Sequence, residues 1–178
     1  MVNNMKGKLS ISSLLNEEIP TLVSLVNSAY RGESAKQGWT TEADLLDGIR
    51  TAPESIKELV EKSGATIFVA HDETNRMVGC VYLHKDNTSL YLGMLTVAPD
   101  IQAKGIGKQL LAAAEAHAKV VDCNRIVMSV IDIRHELIAW YERHGYQPTG
   151  ETKPFPSNPA FGLPKQPLQF IIMEKIIK

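Results

Sequence analysis

Gln102-Ala103-Lys104-Gly105-Ile106-Gly107 stands between an apolar segment ending at Val97 and a stretch, Lys108 to Val121, patterned for a helix. The flanks decide how it is read. Leu90 to Ala98 alternates and then runs apolar, as a buried strand does, and Pro99-Asp100 closes it. Downstream, Leu110, Leu111, Ala114, Ala118 and Val121 repeat along one face, with Lys108, Glu115 and Lys119 on the polar side. The context is strand, loop, helix. Two glycines there permit a tight turn and a close approach to main-chain atoms. The helix that follows directs unpaired N–H groups and its positive dipole end at the same point. The segment therefore reads as a nest of backbone amides for an anion, a phosphate in particular.

Two familiar phosphate loops do not fit. A P-loop needs four residues between its glycines and then Lys-Ser or Lys-Thr, whereas Gly105 and Gly107 are separated by one residue and Lys108 is followed by Gln109. A dinucleotide fingerprint would place glycine or alanine where Leu110 stands, and its acidic residue earlier than Asp132. The segment resembles instead the acyl-CoA pyrophosphate loop of the GCN5-related N-acetyltransferase (GNAT) superfamily: Gln or Arg, two residues of any kind, Gly, any residue, then Gly or Ala. Gln102, Gly105 and Gly107 meet that pattern. Further on, Ala139-Trp140-Tyr141-Glu142-Arg143-His144-Gly145-Tyr146 is similar to the superfamily's helix ending in Tyr-Glu-x-x-Gly-Phe or Tyr. Local physics sets the same boundaries. Leu137, Ile138 and Tyr141 share a helix face, Arg143 and His144 suit a negative C-terminal end, and Gly145 is a left-handed terminator.

Composition bounds the rest. At 178 residues, 44% hydrophobic and 22% charged, the chain is expected to form a single domain, 1–178, with a core that needs neither disulfide nor metal. A net charge of -1, with Lys and Arg scattered, argues against nucleic acid as a partner. Cys80 and Cys123 sit in apolar surroundings and read as buried free thiols of a reducing compartment. His71, His84, His117, His135 and His144 lack metal-ligand spacing, so no metal is implied. No apolar run has the length of a membrane span, and Met1 to Lys8 lacks a signal-peptide core, so the expected location is cytoplasmic.

Elements alternate along the chain. Leu9 to Ser13 reads as a strand, Asn16 or Glu17 opens a helix toward Tyr30, and Thr40 or Thr41 caps a second helix carrying Ala43, Leu45, Leu46 and Ile49. A third helix falls around Ile56, Leu59 and Val60. Strands over Ala65 to Ala70, Met77 to His84 and Leu90 to Val97 form a meander. After the helix from Gly107 to Val121 come a strand, Arg125 to Ile131, the helix ending at Gly145, and strands from Tyr146 toward Thr149 and over Leu168 to Ile172 before a charged tail. Thr152 to Pro167, dense in proline, is an anchored loop that can be neither helix nor central strand. The fold class is α/β (α+β), with a mixed sheet of about seven strands flanked by helices, antiparallel early and joined by a crossover later.

The resemblance implies a GNAT-like fold whose sheet is splayed between its fourth and fifth strands, with the thioester in the gap. It places the acyl-CoA-binding core at about 65–150 and acceptor-site elements at 9–60 and in loop 152–167. The implied cosubstrate is acetyl-CoA, held by Leu95, Thr96, Val97, Gln102, Ala103, Lys104, Gly105, Ile106, Gly107 and Lys108. The implied reaction is direct transfer of an acetyl group to a primary amine of a small molecule or protein, with Tyr141 as general acid. Many relatives carry a glutamate on the strand before the phosphate loop, and Leu90 to Val97 has none. Glu33 and Asp132 are the candidate bases, with His84 and Tyr91 as anchors for a water chain. Arg31, Glu33, Trp39 and Tyr91 are candidates for the acceptor pocket. The missing strand carboxylate leaves a second reading open, a non-catalytic acyl-CoA-binding module. Homodimers are common in the superfamily, and no feature of the sequence decides that point.

Overall fold

Alternation in the middle of the chain produces the expected meander. The computed structural model describes residues 8–30, 46–47, 50–101, 104–156 and 163–178. The strands are β1 (Ser10–Ser13), β2 (Leu46–Asp47), β3 (Ala65–His71), β4 (Met77–Asp86), β5 (Ser89–Val97), β6 (Arg125–Ile131), β7 (Gln147–Pro154), β8 (Leu163–Pro164) and β9 (Gln169–Ile176). The helices are α1 (Ile19–Tyr30), α2 (Pro53–Glu61), α3 (Ile106–Val120) and α4 (His135–Arg143). Seven strands form one mixed sheet in the order β1-β3-β4-β5-β6-β9-β7, and β2 with β8 makes a separate ribbon. Among the described residues only β5 and β6 run parallel, joined by the α3 crossover.

Both sheet faces are covered. Leu22, Val26, Ala29 and Ile56 of α1 and α2 pack with Ile67, Val69, Cys80 and Tyr82 on one side. On the other, Leu110, Leu111, Ala114 and Ala118 of α3 and Tyr141 of α4 pack with Val81, Leu83, Leu90, Leu92, Ile126 and Met128. The α3 face is the one its sequence pattern predicts.

The structure departs from the sequence reading where tertiary pairing takes over. Leu46, expected on the second helix, begins a strand: Leu46 and Asp47 pair antiparallel with Pro164 and Leu163, which tie the chain before α2 to the proline-rich segment. Ala43, Leu45 and Ile49 lie outside the described residues. Strand β7 continues through Thr152–Pro154, inside the expected loop; it tolerates Pro148 and Pro154 because it is an edge strand. The supposed charged tail is part of β9, where Glu174 meets Arg125 at 3.1 Å and Lys175 meets Glu115.

The feature that positions the site is a parting of strands. Pairing between β5 and β6 stops after Ser89–Arg125, Leu90–Ile126 and Tyr91–Val127. Beyond it, β5 carries a bulge: Tyr82 pairs with Gly93 and Cys80 with Thr96, so β5 has one residue more than β4 between those pairs. Met94 adopts φ 53°, and its carbonyl accepts from the Thr96 hydroxyl at 2.9 Å and the Cys80 thiol at 3.5 Å. Burial pushes that thiol up to about 12, which keeps it a protonated donor. These are the fourth and fifth strands of the large sheet, so the splay lies where the resemblance implied.

Gly79 of β4 then sets how closely α3 approaches. A Cβ there would stand 2.9 Å from both Leu110 Cδ1 and the Thr96 carbonyl oxygen and 3.2 Å from Ile106 Cγ2. Gly79→Ala is expected to cost about 1–3 kcal/mol by overpacking, read as a lower urea midpoint at unchanged slope.

Candidate active site

Three pieces converge on the gap between β5 and β6. The first is the stretch of β5 beyond Tyr91, where it no longer pairs with β6. The second is the start of α3, where Gly105 takes φ 78° as the N-cap residue and no side chain caps the helix among the described residues. Its first intrahelical bond runs from the Gln109 N–H to the Gly105 carbonyl at 3.1 Å, so the N–H groups of Ile106, Gly107 and Lys108 have no partner within the helix. The third is α4, whose end fixes Tyr141. Gly145 adopts φ 91°, its N–H donates to the Glu142 carbonyl at 3.0 Å, and the Tyr146 N–H donates to the Tyr141 carbonyl at 3.1 Å. That is a Schellman cap, and its accompanying apolar contact is Tyr146 against Tyr141, ring centroids 5.8 Å apart. Lys175 adds a bond from its ammonium to the His144 carbonyl at 2.9 Å, supplying a cation at the negative helix end.

Between these pieces lies a cavity of about 620 Å³, lined by Leu95 and Val97 of β5, Gly105 to Lys108, and the α4 face bearing Glu136, Leu137, Ala139, Trp140, Tyr141, Arg143 and His144. Gly107 makes room for the indole: a Cβ there would lie 3.2 Å from Trp140 Cζ2. Trp140 in turn rests on His144, centroids 4.3 Å apart, whose Nδ1 stands 2.7 Å from the Trp140 carbonyl oxygen. Lys108 and the helix dipole make the α3 terminus suited to an anion, and Arg143 adds a second cation to the cavity lining.

A smaller chamber of about 80 Å³ opens on the same gap and shares Leu95, Leu137 and Tyr141 with the cavity. Its wall includes Tyr30 at the end of α1, whose hydroxyl donates to the Leu95 carbonyl, together with Arg50 and Arg134. Tyr141 thus faces both spaces while being 6% exposed. Burial, with Tyr30 nearby, pushes its phenol far above the ordinary range of tyrosine, and the Arg134 charge only partly opposes this.

Several predicted residues are thereby gathered: Leu95, Val97, Gly105, Ile106, Gly107, Lys108 and Tyr141 line one cavity. Others fall elsewhere. Thr96 is fully buried with its hydroxyl on Met94, and Lys104 is exposed outside the lining. Tyr91 is 37% exposed, lies across Gly93, and faces Tyr82 at 6.3 Å; Tyr82 in turn stacks on His84 at 6.4 Å, making an aromatic row beside the chamber. Asp132, just past β6, has its N–H on the Gln169 carbonyl and a buried Oδ1 without a partner among the described residues; it lines neither space. Gln102, Ala103, Arg31, Glu33 and Trp39 lie outside the described residues. Trp140, Arg143 and His144 had a legible signal, the three- and four-residue spacing that puts them on one helix face. Tyr30, Arg50 and Arg134 had none, since only the fold brings three distant segments together. Among the described residues, no three His, Cys, Asp or Glu side chains gather to hold a metal ion, and no helix is long and apolar enough to cross a membrane.

Comparison with known proteins gives this geometry its relatives. The acetyltransferase (GNAT) family model matches residues 25–146. The uncharacterized protein YdhI of Bacillus subtilis (strain 168) is 31% identical over 80 residues, 45% of this chain and 49% of that protein, so the match spans about half the length of this curated relative. The ribosomal-protein-S18-alanine N-acetyltransferase of Escherichia coli superposes with a TM-score of 0.72 at 16% identity, covering 96% of this chain and 95% of that one. A spermidine N-acetyltransferase from Vibrio cholerae, solved in complex with CoA and spermine, gives 0.70 at 16% identity over 95% of each chain. At such identities the likeness is one of fold.

The cap that holds Tyr141 is open to a direct test. Gly145→Ala puts a side chain on a left-handed residue and a Cβ 3.1 Å from Lys175 Cε. It is expected to cost about 1–2 kcal/mol, with Gly145→Asn less damaging, both read by urea unfolding.

Proposed function

The chain belongs to the acetyltransferase (GNAT) family, and on that premise we propose that it moves an acetyl group from acetyl-CoA to a primary amine, of a small molecule or a protein, by direct transfer in a ternary complex. The single observation that carries this reading is the continuous cavity from the N-terminal end of α3, along the end of β5 that has parted from β6, to Tyr141. An anion-binding helix terminus, a strand edge and a buried phenol in that order match a diphosphate, an amide-bearing arm and a thioester in sequence.

The diphosphate of CoA would sit on the N–H groups of Ile106 to Lys108, with Lys108 and Arg143 as countercharges and Gln102 to Lys104 completing the loop. Its pantetheine amides would add to the β5 edge over Leu95 to Val97, as a peptide adds to a sheet. The acceptor enters through the smaller chamber. Its nitrogen lone pair forms the C–N bond as the C–S bond breaks, the departing thiolate receives a proton from Tyr141, and the proton shed by the acylated nitrogen restores the phenol. Full proton transfer from so raised a phenol is uphill to an ordinary thiol of pKa about 8.5. The thiolate, however, forms in the same dry cleft and has its own pKa raised by the same desolvation, which narrows the gap.

The amine must arrive neutral. Two guanidinium groups in the chamber depress the pKa of an ammonium beside them, favouring the neutral form. Of the two candidate bases, Asp132 follows directly on Ile131, which lines the chamber, and Glu33 stands in the segment after α1. The row of Tyr91, Tyr82 and His84 suits a water path. One observation favours a non-catalytic CoA-binding role instead: no carboxylate among the described residues lines the chamber. Thioester turnover with any amine excludes that alternative.

Two measurements test the proposal. Titration with CoA is expected to change tryptophan fluorescence through Trp140, a change lost in Trp140→Phe; a wild-type chain unmoved by CoA in fluorescence and in melting temperature defeats the assignment. Tyr141→Phe is expected to lower kcat by about 10²–10⁴-fold in a thiol-release assay. Because the phenol is held above its ordinary value, it stays protonated, so kcat should show no alkaline fall below about pH 10 and should rise as the amine loses its proton.

A further inference from the structure

We propose that Arg76 cancels the charge of Asp100 beside the phosphate end of the site, and that the balance of this pair sets how tightly the CoA diphosphate binds. This rests on the acetyl-CoA reading and adds to it two residues that do not line the cavity.

Both partners are fixed by their own backbone. Arg76 closes the turn between β3 and β4, where Asn75 takes φ 65° and one Asp72 carboxylate oxygen accepts three bonds. They come from the Thr74 N–H at 2.9 Å, the Thr74 hydroxyl at 2.7 Å and the Arg76 N–H at 3.0 Å. The Asp72 N–H donates in return to the Arg76 carbonyl at 3.0 Å. Asp100 belongs to the short turn Pro99–Ile101 that follows β5. The Ala98 N–H on the Val78 carbonyl at 2.8 Å and the Ile101 N–H on the Ala98 carbonyl at 3.1 Å hold that turn to β4. From these two turns the guanidinium and the carboxylate meet in a bidentate pair, Nη1 to Oδ2 at 2.9 Å and Nη2 to Oδ1 at 2.8 Å.

Folding stability does not account for the pair. Its side chains are 49% and 51% exposed, and ion pairs so wetted contribute little. Its place in the chain gives it a different consequence, because Asp100 leads into the loop that ends at Gly105 and the α3 terminus. The Arg76 hydrogen bonds hold the Asp100 carboxyl below the usual carboxylate range, and the nearby Lys104 charge adds a smaller pull in the same direction. Asp100 is therefore ionised at neutral pH, and its field reaches Lys104, the neighbour of Gly105. A bare carboxylate there opposes a diphosphate, whereas a guanidinium bonded to both its oxygens cancels most of that field beyond the pair. Arg76 is thus a positioning residue, acting on the diphosphate through Asp100.

Breaking the pair from its two sides separates charge from geometry. Calorimetry on the full chain reads the Kd for CoA at about 0.01 M salt, where the Debye length is about 30 Å, and at about 1 M, where it is about 3 Å. Arg76→Ala uncovers the carboxylate and is expected to weaken CoA, while Asp100→Asn leaves the guanidinium charge uncancelled and is expected to tighten it. The ratio of the two Kd values, Arg76→Ala over Asp100→Asn, should reach about tenfold at low salt and fall toward one at high salt. The double variant should return to within about twofold of wild type, and Arg76→Lys, which keeps the charge, should bind as wild type does. A pair that only holds the two turns together predicts weaker binding from either substitution and no recovery in the double variant. A ratio near one at low salt, or a ratio that salt leaves unchanged, overturns the proposal. Thermal unfolding without CoA shows which variants fold; if Arg76→Ala does not, tighter binding by Asp100→Asn at low salt supports the proposal and unchanged or weaker binding overturns it. Wild-type protein that binds no CoA defeats the acetyl-CoA reading itself, whereas CoA binding with both single variants equally weakened removes only this inference.

Discussion

Everything in the site depends on β5 and β6 failing to stay paired. Parallel strands joined by a helical crossover ordinarily keep their ladder, yet these two separate after Tyr91 and Val127. The extra residue at Met94 bends β5, and the chain meets the cost of that left-handed residue with two donors on its carbonyl, Thr96 and Cys80. Tyr30 then reaches from α1 to the Leu95 carbonyl. A strand edge that would otherwise be a liability in solution is held open inside the fold, where only a ligand of matching length can use it.

The second constraint is the ending of α4. A Schellman cap makes the backbone between Tyr141 and Tyr146 rigid, and the ring contact within the cap orients the very phenol that faces the gap. Lys175 ties that cap to Glu115 on α3, so α3 and the helix carrying Tyr141 are anchored to one strand residue. Two signature stretches separated in sequence become one rigid unit through a side chain that neither contains.

Charge is distributed along the same line. Lys108 and Arg143 line the large cavity, Arg50 and Arg134 line the chamber, and the uncharged Tyr141 borders both. The protein as a whole carries a formal charge of -1, so these cations are a local arrangement that net charge does not reveal. Cations lining both spaces favour anionic groups there.

Sequence by itself determined the elements whose signals are local. The helix from Ile106, the strand Arg125–Ile131 and the Gly145 terminator follow from periodicity and backbone preference, which need only near neighbours. The turn at Gly105 before the helix and the helix face bearing Tyr141 were legible for the same reason, because backbone preference and helix-face spacing are written within a few residues. Gly93 inside a strand pattern was a readable hint of the bulge, though its register was not. Tertiary structure alone decided that Leu46 would join a strand, that β7 would run through three residues of the proline-rich segment, and that Tyr30, Arg50 and Arg134 would share a wall. Such choices rest on backbone pairing and side-chain proximity between segments far apart in the chain, and no local preference encodes which distant partner will be there.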